Sequence, residues 1–164
     1  MILGMTPFVF LHVLISLVGI LSGLVVVYGL LTAKRLDGWT AVFLGTTVAT
    51  SVSGFFLPAI RFLPSHGVGI VSLLVLPVAI FALYRRGLEG PWRRTYVIAA
   101  MLALYLNVFV LVVQLFLKVP ALKALDPTQS GPPFVLAQSS VLTLFAVLAI
   151  LALRRFRISP PRVA

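Results

Sequence analysis

The sequence predicts an all-α membrane protein, a compact bundle of five transmembrane helices in a single domain covering residues 1–164. Three observations predict it. Five long apolar stretches fill nearly all of the 164-residue chain, and hydrophobic residues make up 61% of it. Charged residues make up only 10%, against roughly 25% in soluble domains. The stretches Pro7–Leu31, Trp39–Ile60, Gly67–Tyr84, Thr95–Leu117 and Phe134–Leu153 contain no Asp, Glu, Lys or Arg. A membrane-crossing helix needs roughly 20 mostly apolar residues, within about 17–25, and all five stretches qualify. In lipid every backbone N–H and C=O must be satisfied within the protein, which leaves helices or a closed barrel. Continuous apolar runs of this length are not the short alternating strands of a barrel.

The first stretch, residues 7–31, begins after Met1–Thr6, which lacks the basic segment of a signal peptide. Its basic residues follow it instead, so a retained helix is expected. Ser16, Gly19 and Gly23 lie along it at three- and four-residue spacing, where small residues let backbones approach. Thr32–Gly38 joins it to the second stretch, residues 39–60, with Asp37 as the expected N-cap. Gly45, Ala49 and Ser53 form a small-residue stripe there, with Thr46, Thr50 and Gly54 beside it. Arg61–His66 leads into the third stretch, residues 67–84, and Pro64 interrupts helical continuity. Pro77 removes one backbone bond in mid-helix and is expected to bend it. Arg85–Arg94, with Gly87, Gly90 and Pro91, connects to the fourth stretch, residues 95–117. The one long connection is residues 118–133, whose Ala121–Leu125 can form a helical turn before Asp126-Pro127 and Gly131-Pro132-Pro133. It is expected to be a spacer. The fifth stretch covers residues 134–153.

Charge orients the bundle. Lys34, Arg35, Arg85, Arg86, Arg93, Arg94, Arg154, Arg155, Arg157 and Arg162 fall on one side if the helices alternate. Arg61, Lys118 and Lys123 fall on the other. The positive-inside rule places the first side in the cytoplasm, the N-terminus outside and the loop 118–133 on the outer face. Trp39, Trp92, Tyr28, Tyr84 and Tyr96 gather at the same cytoplasmic ends, where aromatic rings favour the headgroup layer. The expected location is the bacterial inner membrane, crossed several times. The basic balance is thus topology and not a nucleic-acid surface, with an anionic-lipid site in Arg85–Arg94 as a secondary reading.

Several chemistries are excluded. The chain has no Cys, hence no thiol–disulfide exchange. Asp37, Glu89 and Asp126 all lie in connections, so no carboxylate serves ion coupling within a span. Neither a phosphate-binding Gly-rich loop nor a His-Glu-x-x-His zinc motif is present. No catalytic residue and no metal site is assigned, and an enzyme is not the favoured class.

The remaining polar residues gather toward the outer side. His12 lies about one and a half turns inside the first stretch, and His66 stands at the entry of the third. Asn107 and Gln114 share a face of the fourth stretch, Gln138 lies on the fifth, and Arg61 and Lys118 mark the rim. In one reading these side chains hydrogen-bond helices together, at roughly 0.6–2 kcal/mol each. In the sharper one His12 and His66 are axial ligands of a haem b, with Arg61, Asn107, Gln114 and Gln138 as the polar lining of an outer pocket. Two histidines without Cys or carboxylate partners suit haem better than zinc.

Pro64-Ser65-His66-Gly67, Tyr105-Leu106-Asn107-Val108-Phe109 and Lys118-Val119-Pro120-Ala121-Leu122 resemble small multi-pass bacterial inner-membrane proteins that carry no assigned activity. That resemblance implies the location and brings no site with it. The chain is also similar to small membrane-bound b-type cytochromes, but lacks their paired histidines for two haems. The expectation is an accessory or structural inner-membrane protein with an outer-side ligand pocket. The alternatives are a small haem-b electron carrier and an oligomeric channel or carrier. Its partners would be the lipid bilayer and a membrane protein or a second copy.

Overall fold

Helix α1, Pro7–Leu31, opens where Thr6 caps it, its hydroxyl accepting the Val9 N–H at 3.3 Å. Pro7 takes the first helical position, where its missing N–H costs nothing. The computed structural model describes residues 6–57 and 64–157 of the chain. Among these, no strand occurs. The helices are α1, α2 (Asp37–Gly54), α3 (Pro64–Ile80), α4 (Trp92–Lys118), the short α5 (Pro120–Leu125) and α6 (Pro132–Arg155). Helix α3 runs through Pro77 and widens into a π-helical turn at Phe81–Arg85.

Helix α1, α3 with its π-turn, α4 and α6 are long and apolar enough to cross a membrane. Among the described residues 30 large hydrophobic side chains are exposed, Leu74, Leu136 and Leu144 among them, a surface suited to lipid as solvent. The chain is an all-helical membrane protein. Helix α2 differs from the other expected spans. It has 18 residues, carries Asp37 and is rich in Thr and Ser, and it is not among the helices that meet the length and hydropathy of a span. It stops at Gly54, short of the expected end, and residues 58–60 of the second stretch lie outside the described residues.

Helices adjacent in sequence run antiparallel, and paired residues fix the register. Along α1 and α2, Gly29 meets Leu36, Gly23 meets Phe43, Gly19 meets Thr46 and His12 meets Ser53. Ser51 of α2 lies beside Gly69 of α3. Helices α4 and α6 are zipped by Phe116 on Phe134, ring centroids 5.4 Å apart, and by Tyr105 on Phe145 at 5.9 Å. The core is an apolar cluster of Val26, Leu30, Phe43, Leu76, Val97 and Leu104 with the small residues Ala79, Ala82, Ala100 and Ala103. Small residues bring the backbones close, as required where lipid supplies no hydrophobic drive between helices.

Which small residues do this differs between helices. Gly19 and Gly23 of α1 are buried at the junction with α2 and α4. Gly45 and Ala49 of α2 are exposed, and a side chain at Gly45 would meet nothing within 4 Å. The buried face of α2 is Thr40, Phe43, Leu44, Thr47 and Ser51. Both faces carry small residues at helical spacing, so spacing alone does not select the packed one.

The connections are tied down by local bonds. Asp37 occupies the first helical position of α2, not the N-cap, which is Leu36. Its carboxylate pairs with Arg35 at 3.0 Å while lying at the positive end of the helix dipole. Ala33 adopts φ 56° and lets the Lys34 N–H reach the Gly29 carbonyl at 2.8 Å, closing α1. The guanidinium of Arg86 lies over both Phe81 and Trp92, 5.6 and 5.1 Å from the ring centroids, and clasps α3 to α4.

At the opposite end α5 forms at the helical turn expected in the long connection. Asp126 behind it is buried. Its carboxylate accepts the Gly131 N–H at 2.8 Å and the Thr128 hydroxyl at 3.2 Å. Desolvation pushes this carboxyl up. Bonds from the Gly131 N–H, the Thr128 hydroxyl and the Ser130 and Phe134 backbone outweigh it and hold the group below the usual carboxylate range. Gln129 donates to the Val113 carbonyl at 2.8 Å and anchors the loop on α4.

Candidate functional site

His12 and His66 converge on one short segment, the C-terminal turn of α2. His12, half-buried on α1, is 2.8 Å through Nδ1 from the hydroxyl of Ser53. Its Cε1 also lies against Gly54. His66, in the first turn of α3, places its ring 5.8 Å from the ring of Phe55. Phe55 in turn packs on Gly69 of α3. The segment Ser53–Phe55 therefore links the only two histidines of the chain.

The Ser53 hydroxyl lies 2.8 Å from His12 Nδ1 and 3.2 Å from the Thr50 carbonyl. With its hydrogen on the Thr50 carbonyl it accepts from Nδ1–H and leaves the Nε2 lone pair free; with its hydrogen on Nδ1 the ring proton sits on Nε2. In the first form the imidazole, with Nδ1–H held by a neighbour and Nε2 basic, is prepared to ligate or to accept a hydrogen bond.

A polar seam leads inward from this point. The Thr50 hydroxyl oxygen, one turn before Ser53, is buried and has no hydrogen-bond partner among the described residues. Thr46 lies one turn deeper, its hydroxyl donating to the Val42 carbonyl at 2.7 Å. Thr47 is wholly buried and accepts from the Asn107 amide at 3.2 Å. Gly19 leaves the room: an added Cβ would lie 3.2 Å from the Thr46 hydroxyl, 3.4 Å from that of Thr47 and 3.7 Å from the Asn107 nitrogen. Helices α1, α2 and α4 thus meet at a polar junction. It is about two turns deeper than His12, because Gly19 follows it by seven residues.

The other expected pocket residues are dispersed. Gln138 of α6 donates to the Phe109 carbonyl at 3.1 Å, and its buried amide oxygen has no partner among the described residues. Gln114 is exposed on α4, as is Lys118 in the last turn of that helix. Arg61 lies outside the described residues. No group of three or more His, Cys, Asp or Glu that could hold a metal ion occurs among the described residues.

No family model, no curated protein and no solved structure matches this chain. Chemistry must therefore be read from the geometry alone. The residues missed in the sequence are Ser53 and Phe55, which touch the two histidines, and Thr50. All three are visible as part of a polar and aromatic helix end. Their relation to His12, across 41 residues of sequence, is a property of the fold.

Proposed function

We propose that the chain is an accessory protein of the bacterial inner membrane, with a ligand pocket where α1, α2 and α3 meet. The observation that carries this is His12 held through Nδ1 at 2.8 Å from the Ser53 hydroxyl, with the buried Thr50 hydroxyl one turn away lacking a partner among the described residues. Polar groups inside a membrane are costly and mark functional positions. We read α2 as the fifth span. Its pairing with α1 from Gly29 to His12 carries it through the same depth as a helix that meets the requirements of a span. Its 18 residues rise about 27 Å, close to a hydrocarbon core of roughly 30 Å. The two polar faces, α1 to α2 and α2 to α4, cover one another and allow so polar a helix to cross.

In this arrangement the N-terminus is outside and the C-terminus cytoplasmic, with the ten-to-three division of basic residues as its support. Reporter fusions at the two ends test it. A cytoplasmic signal from the C-terminal fusion and an external one from the N-terminal fusion are expected. An external C-terminal signal would reverse the bundle and place the histidines on the cytoplasmic side.

A second reading is favoured by the same imidazole. A histidine tethered through Nδ1 can, in the tautomer that leaves Nε2 free, bind haem iron, and His66 shares the turn that His12 contacts. In this reading the protein is a small haem-b electron carrier with His12 and His66 as axial ligands. Purified protein from haem-replete cells would then show a Soret band that sharpens and shifts on reduction. Replacing either histidine by Ala would abolish or loosen the haem. A colourless preparation would reject the haem reading and leave the accessory role.

A further inference from the structure

We propose that the arginine-lined cleft between α4 and α6 seats the phosphate of an anionic phospholipid. The cleft lies where the first turn of α4 meets the last turn of α6, far from the histidines. It is open, with a volume of about 670 Å³, and is lined by Arg93, Arg94, Leu153, Arg154 and Arg157. Arg93 builds it, donating to the backbone carbonyls of Phe156 and Leu153 and thereby pinning the two helix ends together. Arg94, Arg154 and Arg157 are exposed.

Among the described residues no acidic group pairs with these charges. The one ion pair among the described residues joins Arg35 to Asp37. The other two acids are Glu89, which pairs with no cation there, and Asp126, which is buried in the loop preceding α6. The first turn of α4 has no acidic residue and no side-chain cap, so its dipole end is positive, while the opposing carbonyls at the end of α6 are covered by Arg93. Four guanidiniums around one cleft repel each other, and a polyoxygen anion removes that repulsion. Arginine's planar fork matches phosphate oxygens two at a time.

The setting selects a lipid as the source of that phosphate. Helix α6 packs on α4 and α1 and leaves Ile150 and Val147 exposed, one and two turns below Leu153. An anion with hydrocarbon tails can place its head among the arginines and its chains on that apolar surface. Free phosphate would use only the upper part.

The test uses the full chain in detergent with Trp39→Phe. Trp92, adjacent to Arg93, is then the single tryptophan reporter. Titration with phosphatidylglycerol should give a saturable change in Trp92 emission that phosphatidylcholine does not. Changing Arg94, Arg154 and Arg157 together to Gln should weaken binding by about a hundredfold, from roughly fivefold per basic residue near an anionic surface. The pair Arg35→Gln and Arg85→Gln, outside the cleft, should leave affinity unchanged. A triple Lys variant keeps the charge and should still bind more weakly than the parent. Circular dichroism matching the parent would show that each variant is folded. Parent-like binding by the Lys variant, or equal loss from the outside pair, would reduce the site to diffuse charge and overturn the proposal. Saturation of the same signal by millimolar inorganic phosphate, with no preference for phosphatidylglycerol, would overturn the lipid assignment.

Discussion

Gly23→Ala should destabilise the bundle by about 1–3 kcal/mol, the usual cost of overpacking a filled core. On helix propensity alone the sign would be reversed, because alanine in place of glycine favours a helix by about 1 kcal/mol. Packing decides. A Cβ at position 23 would lie 2.6 Å from Leu104 Cδ1 and 2.9 Å from Phe43 Cδ2. Both side chains are 1% exposed and have nowhere to withdraw. Three helices meet at this point, so the strain falls on α1, α2 and α4 together. Gly45→Ala is the matched control, since its added methyl meets nothing within 4 Å. It should be neutral or gain up to about 1 kcal/mol. Thermal unfolding in detergent, followed by circular dichroism, compares the two. Equal behaviour of both variants would mean that α1 does not pack through Gly23.

Arg93→Met should loosen the end of α6 at a cost of about 1.5–3 kcal/mol, the range for a hydrogen bond from a charged group. The guanidinium bonds the carbonyls of Leu153 and Phe156, which α6 leaves without intrahelical donors at its C-terminus. Phe156 is 2% exposed and belongs to the core, so releasing its backbone also frees a buried ring. Methionine retains much of the aliphatic stem and removes only the charged donors. Hydrogen exchange should show faster opening across residues 150–157, with α1 and α2 unchanged. Unaltered protection at the end of α6 would show that Phe156 is held by packing alone.

Much of the architecture was legible because lipid imposes it. The limits Pro7–Leu31 of α1 coincide with the first apolar run, and α4 and α6 extend only two or three residues beyond theirs at the start. The short α5 is likewise written in local sequence, at Ala121–Leu125. What was not legible depends on which way a helix is rotated. Gln114 and Asn107 sit on one face by count, yet Gln114 is exposed while Asn107 bonds Thr47. Seven residues over 3.6 per turn drift by about 20°, and the bundle contact lies toward the other end of α4. In the same way Gly45 reads like Gly23 until the neighbours are known. For the site, both histidines were evident from their rarity. The turn Ser53–Phe55 that joins them was not, since two of its residues read as ordinary helix-packing or span residues.

The order in which helices pair has a consequence for biogenesis. Helices α1 and α2 are joined by the five residues 32–36, so this hairpin has a very low contact order and can close as soon as α2 leaves the ribosome. At that stage Thr47 still lacks the donor that completes it. Asn107 of α4 is encoded 60 residues later. At about 5–20 residues per second, the nascent hairpin would wait several seconds with Thr47 uncovered. Arrival of α4 brings the Asn107 amide to Thr47 and closes that face.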